Sequence, residues 1–156
     1  MGKAGYKAST EGAVVLGAGV AKSTLGMIGT AAFGVDWKKY RLGFDGVTAS
    51  AVPVLVELCY ATFATNAPGT ASTSVTVRQA YGRAITPGFT AAKTWTTEPT
   101  VLTVIDEYLL TPAGGLVVYD FPLGDTPDSD VSTGFVIRLT APAAVNARAA
   151  VWFERI

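Results

Sequence analysis

The residues that could do chemistry sit in a few short stretches. The most suggestive is VVLGAGVAKST, Val14 to Thr24, where an apolar run meets two glycines and then Lys-Ser-Thr. A phosphate-binding loop needs a glycine directly before the lysine and another five residues earlier, because the backbone must curl until its N–H groups face the phosphate. With Lys22 as the lysine, those positions hold Ala21 and Leu16. The dinucleotide fingerprint also fails: Gly17 and Gly19 supply its first two glycines, but Lys22 stands where the third is needed. Both loops require a following helix, yet the sequel STLGMIGTAAFG carries Gly26, Gly29 and Gly34. Each glycine costs a helix about 1 kcal/mol relative to alanine. The stretch reads as a flexible Gly/Ala arm leading into a first strand, and no cofactor is expected.

The acidic residues offer less than their number suggests. Asp120, Asp125, Asp128 and Asp130 fall within one loop, and hard cations take such oxygens. The spacing of an EF-hand is missing, however, and Pro122, Gly124 and Pro127 read as turn chemistry around a solvated loop. No metal is expected. Asp106 and Glu107 are adjacent, so on a strand they point to opposite faces and cannot flank one glycosidic bond. Glu57 and Glu98 are possible partners that nothing in the sequence brings together. The chain has no histidine and a single cysteine, Cys59, inside VPVLVELCYATF. That composition excludes Ser-His-Asp and Cys-His machinery and ordinary zinc sites, and Cys59 reads as a small buried hydrophobe. The chain is expected not to be an enzyme.

WKKYR, Trp37 to Arg41, mixes bases with aromatics, as single-strand nucleic-acid binders do. The simpler reading places Lys38, Lys39 and Arg41 on an exposed edge strand, where lysine discourages unwanted pairing. Trp, Tyr and Arg are enriched among interface anchors, which makes Trp37, Tyr40 and Arg41 candidates for an oligomer or partner interface. Val14, Val15 and Leu16 of the arm are the other candidates.

These residues must be positioned by strands. Tyr40, Leu42 and Phe44 alternate with Lys39, Arg41 and Gly43, and VPVLVELCYATF is apolar on both faces, as a central strand would be. Asp45-Gly46 is a strong turn signal between them. SVTVRQAY, TVLTVIDEYLL, GLVVYDF, GFVIRLT and VNARAAVWFER continue the rhythm, with one helical turn allowed near Ala91 to Thr94. About eight strands at this spacing predict an all-β, jelly-roll-like antiparallel sandwich. Residues 1–22 form its flexible arm and residues 23–156 its single domain.

Of 156 residues, 49% are hydrophobic and 15% charged, with 12 basic and 12 acidic side chains in balance. Nothing draws such a chain to nucleic acid or to an anionic membrane. The apolar run from Ala13 to Val35 is interrupted by Lys22, so no membrane span is expected. A half-apolar chain with few charges would expose large patches as a monomer, which predicts a homotrimer.

At RLGFDGVTASAVPVLVELCYATF, AAKTWTTEPT and TAPAAVNARAAVWFERI the chain resembles a group of small tailed-bacteriophage virion proteins, those that decorate or cement the head surface. The resemblance runs from Asp36 to Ile156 and carries no catalytic residues. It implies a β-sandwich, usually trimeric, bound to the major capsid protein on the outside of a head and assembled in the host cytoplasm. The alternative is a carbohydrate- or receptor-binding sandwich of a phage tail or fibre, with Trp37, Trp95 or Trp152 stacking on sugar. A minor lyase is disfavoured by the missing histidine.

Overall fold

Alternating in–out side chains, β-branched content and frequent Gly/Pro turns give strands throughout. A computed structural model describes residues 4–45 and 52–156, so Gly46 of the expected turn lies outside the described residues. Twelve strands follow one another: β1 (Gly5–Ser9), β2 (Val14–Leu16), β3 (Ala21–Ile28), β4 (Val35–Asp45), β5 (Val54–Ala61), β6 (Thr73–Val75), β7 (Arg78–Tyr81), β8 (Thr90–Lys93), β9 (Leu102–Leu110), β10 (Val117–Asp120), β11 (Gly134–Thr140) and β12 (Val145–Arg155). A single 3-10 turn at Pro112–Gly114 is the only helical element among the described residues. No helix there is long and apolar enough to cross a membrane.

The strands form two antiparallel sheets. The first runs β10-β4-β12-β1-β7, with β2 also on β12; the second runs β6-β8-β3-β11-β5-β9. Eight of the strands form four nested antiparallel pairs: β1 with β12, β3 with β11, β4 with β10 and β5 with β9. Pairing of β4 with β12 and of β5 with β11 rolls this set into two four-stranded layers. That is the jelly roll, and β2, β6, β7 and β8 are short additions to it.

The core lies between the layers. Tyr6, Leu16, Trp37, Leu42 and Phe153 from the first sheet meet Leu25, Val56, Leu58, Phe135 and Ile137 from the second. A smaller cluster of Phe63, Trp95, Ala61, Ala92 and Val136 covers the other face of the second sheet. Val136 reaches it because it alternates with Phe135 and Ile137 on β11. Trp95 Nε1 donates to the Asn66 carbonyl at 2.8 Å, so the buried indole N–H is satisfied.

The structure corrects four expectations. Of the expected arm, residues 4–22 are described, and they are not outside the sandwich: β1 and β2 are paired to β12, and Tyr6, Ala8, Val14 and Leu16 are core residues. The proposed boundary at Lys22 falls inside β3. GYKAS alternates correctly, but with one large apolar side chain in five residues its signal is faint. SVTVRQAY is not one strand, since β6 joins the second sheet and β7 the first. The stretch allowed as a helical turn is strand β8. Finally, β4 is no edge strand, being paired to β10 and β12.

Candidate interaction surfaces

The first sheet turns a basic row outward. Register places Arg78 beside Lys7, Lys7 beside Trp152, Trp152 beside Lys39, and Lys39 beside Asp120, one residue from each of five strands. Their neighbours Tyr6, Ala8, Tyr40, Val151 and Phe153 are buried, so this row faces solvent. Three cations converge on the indole of Trp152: Lys7 Nζ at 4.6 Å, Lys39 Nζ at 5.1 Å and Arg41 Cζ at 5.6 Å from its centroid. Such contacts are worth about 0.5–1 kcal/mol each at exposed sites. They hold the ammonium and guanidinium groups over one platform in spite of their mutual repulsion.

Counter-charges lie at the ends of this face. Lys39 Nζ is 3.6 Å from Asp120 Oδ1. Lys38 pairs with Asp36 and, at 3.6 Å, with Glu154. Burial alone would lower the Lys38 pKa, but hydrogen bonds and attraction from these carboxylates leave it raised. Arg148 Nε donates to Asp45 at 2.8 Å. Beside the row, Arg41 and Arg148 line a groove of about 610 Å³ whose walls include Thr10, Glu11, Phe44 and Leu116.

A β-bulge decides which aromatics reach the surface. Trp152 opposes Lys39 but Phe153 opposes Trp37, so Lys38 is an extra residue in β4. Strict alternation from Tyr40 would turn Trp37 outward; the bulge turns it in, where it is fully buried against Phe135 and Phe121. The interface candidates therefore divide. Trp37, Tyr40, Val14 and Leu16 are core residues and cannot anchor a partner, whereas Val15 is exposed and Arg41 lies on the basic face. The sequence does not single out Lys7 or Arg78, and it offers Trp152 only as a sugar-stacking candidate, although alternation in VWF turns Trp152 outward between Val151 and Phe153.

The side of the sandwich bounded by β9 and β10 carries a second surface. The two sheets are tied here by the Tyr40 hydroxyl of β4, which donates to the Tyr108 hydroxyl of β9 at 3.1 Å. Desolvation is the main cause that raises both phenols. Between the edges lies a cleft of about 570 Å³, with Leu58, Ile105, Phe121 and Phe135 on its walls and Asp106, Asp125 and Asp128 among its lining residues. Ile105 is the extra residue of another bulge, because Leu58 opposes Asp106 while Cys59 opposes Val104. Leu109 and Leu123 stand exposed around this side, Leu123 at 95%, whereas the exposed Leu116 and Val118 lie next to Arg41 and belong with the basic face.

The reactive groups are engaged structurally. Glu57, nearly buried, pairs with Arg138, whose Nε is buried without a partner. The Glu98 carboxylate accepts from the Ser23 backbone N–H at 2.9 and 3.1 Å and from the Ser23 hydroxyl. Burial pushes the Cys59 thiol up to about 11. Glu57 and Glu98 thus hold different partners, and Asp106 and Glu107 are exposed on β9. Among the described residues no three His, Cys, Asp or Glu side chains are grouped to hold a metal ion. Trp37 and Trp95 are buried, which leaves Trp152 as the one tryptophan near the surface.

No family model matches the chain, and no curated protein or solved structure matches it.

Proposed function

We propose that this protein is a non-enzymatic structural component of a phage virion, a decoration or cement protein that forms a homotrimer and binds the major capsid protein on the outer head surface. The observation that carries the reading is the β9–β10 side. It leaves Leu109 and Leu123 exposed, with Leu116 and Val118 exposed across β10 beside the basic face, on a jelly roll whose Glu57, Glu98 and Cys59 are occupied within the fold. Exposed apolar surface of this kind marks a protein partner. A subunit that bridges capsid neighbours stabilises the lattice by linkage, and many equivalent sites add avidity.

The glycan-binding alternative has lost two of its three stacking candidates to the core. Heads stripped of the protein and heads carrying it should differ in resistance to heat or chelator, and the protein should co-sediment with empty heads. Equal survival of both, with no co-sedimentation, would remove the cement role; binding on a glycan array instead would favour the alternative.

A further inference from the structure

We propose that copies of this chain join head to tail, the acidic β9–β10 side of one seated on the basic face of the first sheet of the next. The proposal rests on the homotrimer reading above and assigns its two surfaces. The chain is neutral overall, with 12 basic and 12 acidic residues, yet two of its surfaces carry unpaired charges of opposite sign. Lys7, Arg41 and Arg78 make no ion pair among the described residues, and Lys39 has only Asp120, which is 70% exposed. At the other surface Asp106, Asp125 and Asp128 make no ion pair among the described residues. Each set lacks what the other supplies.

Symmetric pairing of one β9 edge with another is the obvious rival contact, and electrostatics opposes it. Antiparallel β9 strands centred near Asp106 would stack Asp106 and Glu107 of both copies, and like-charge juxtaposition costs several kcal/mol. Seating the same carboxylates on Lys7, Lys39 and Arg41 reverses the sign. The exposed Leu109 and Leu123 then lie inside a charged rim, the usual anatomy of an interface.

Size is of the right order and closure is allowed. Five strands of 4, 11, 11, 5 and 4 residues, at about 3.4 Å per residue and about 4.8 Å spacing, give a face on the order of 570 Å². A stable interface takes about 800 Å² from each partner. The basic face and the acidic side meet at β10, so they are neighbouring surfaces and not opposite ones. Successive head-to-tail contacts therefore turn, and they close into a ring of three where the rotation per copy is a third of a turn.

The test is charge reversal read by sedimentation velocity at micromolar protein. One variant reverses the face (Lys39→Glu with Arg41→Glu), a second reverses the side (Asp106→Lys with Asp125→Lys), and a third carries all four changes. Each two-residue variant should raise the concentration for half-assembly on the order of a hundredfold. The four-residue variant should return to within about tenfold of the wild type, because face and side are again complementary. A folded four-residue variant that stays as dissociated as the pairs overturns the proposal, and would point to a separate anionic partner on the basic face. Wild-type assembly that ignores both paired variants also overturns it while leaving the homotrimer intact. A monomeric wild type removes the homotrimer itself. Should a variant lose its β circular-dichroism signal, raising salt on the wild type decides: dissociation supports the pairing and indifference overturns it.

Discussion

The two lateral sides of the sandwich treat their apolar residues in opposite ways. On one side the chain crosses from β6 in the second sheet to β7 in the first, and both strands are short, at 3 and 4 residues. Val75 and Val77 turn onto the core there. Tyr6, Phe89 and Phe153 pack with ring centroids 5.4 and 4.7 Å apart, and Arg155 lies 4.4 Å over Phe33 while bonding the Thr86 and Pro87 carbonyls. On the other side β9 presents nine residues as a bare edge without lysine or proline. Short, wrapped edges are how sheet proteins avoid pairing with strangers. The first side is finished within the monomer; the second retains apolar surface that a neighbour can cover.

The largest effect should come from breaking the closed side. Tyr6 is fully buried, touches two aromatic rings and is supplied by β1. Tyr6→Ala is expected to cost about 3–5 kcal/mol, read as a lower midpoint in chemical denaturation. A loss under about 1 kcal/mol would mean that β1 is peripheral after all.

That prediction turns on residues whose role the sequence conceals. The jelly-roll class was legible because Tyr40–Phe44 and Val54–Ala61 alternate plainly and turns recur between strands. The expected total of about eight strands falls short of the twelve observed, because β1 reads as arm and SVTVRQAY as a single strand. Pairing of β1 with β12 is a contact across most of the chain, which no local pattern encodes. Trp37 was misassigned for a sharper reason. One extra residue, Lys38, inverts the facing of everything before it, and a bulge is fixed by register with the partner strand. The basic face could be read only once five strands had been laid side by side, since Arg78, Lys7, Trp152 and Lys39 are scattered in sequence.

Next in size is an alkaline effect one strand in from the open edge. Burial raises the Cys59 thiol from 9.0 to about 11, so the folded state holds the proton that the unfolded state releases earlier. Its contribution is complete below pH 9 and is lost as pH rises through about 11, on the order of 2 kcal/mol. Titrated stability should fall across that window, and Cys59→Ala should flatten part of the fall. At pH 8 an alkylating reagent should reach the fully buried Cys59 only through local opening of the second sheet, by β9 or by the Phe63–Trp95 cover of its outer face.

A smaller effect is expected from the hydroxyl pair that ties the two sheets across this side. Tyr108→Phe removes the acceptor of the Tyr40 hydroxyl and leaves the rings in place. The loss should be about 0.5–1.5 kcal/mol, with faster alkylation of Cys59 if the bond holds β9 down. Unchanged stability and unchanged alkylation would show that ring packing alone closes the mouth of the cleft.

The smallest effect on the monomer separates the two sides most cleanly. Leu109 lies on β9 at 65% exposure, and Leu123 is more exposed still. Neither buries much of its side chain in the fold, so Leu109→Ser with Leu123→Ser should leave unfolding of the dissociated subunit within about 0.5 kcal/mol of the wild type per site. A buried leucine such as Leu16, at 0% exposure, should by contrast cost about 2–5 kcal/mol on truncation to alanine. If the open side is an interface, the same two serines should weaken assembly markedly, because residues that the monomer leaves in water are those that a neighbour removes from it. Light scattering of the double variant therefore reads what denaturation cannot. Loss of assembly with intact subunit stability places the cost at the contact between copies. Intact assembly would mean that Leu109 and Leu123 are bystanders and that the apolar edge of β9 is covered by something other than a second copy.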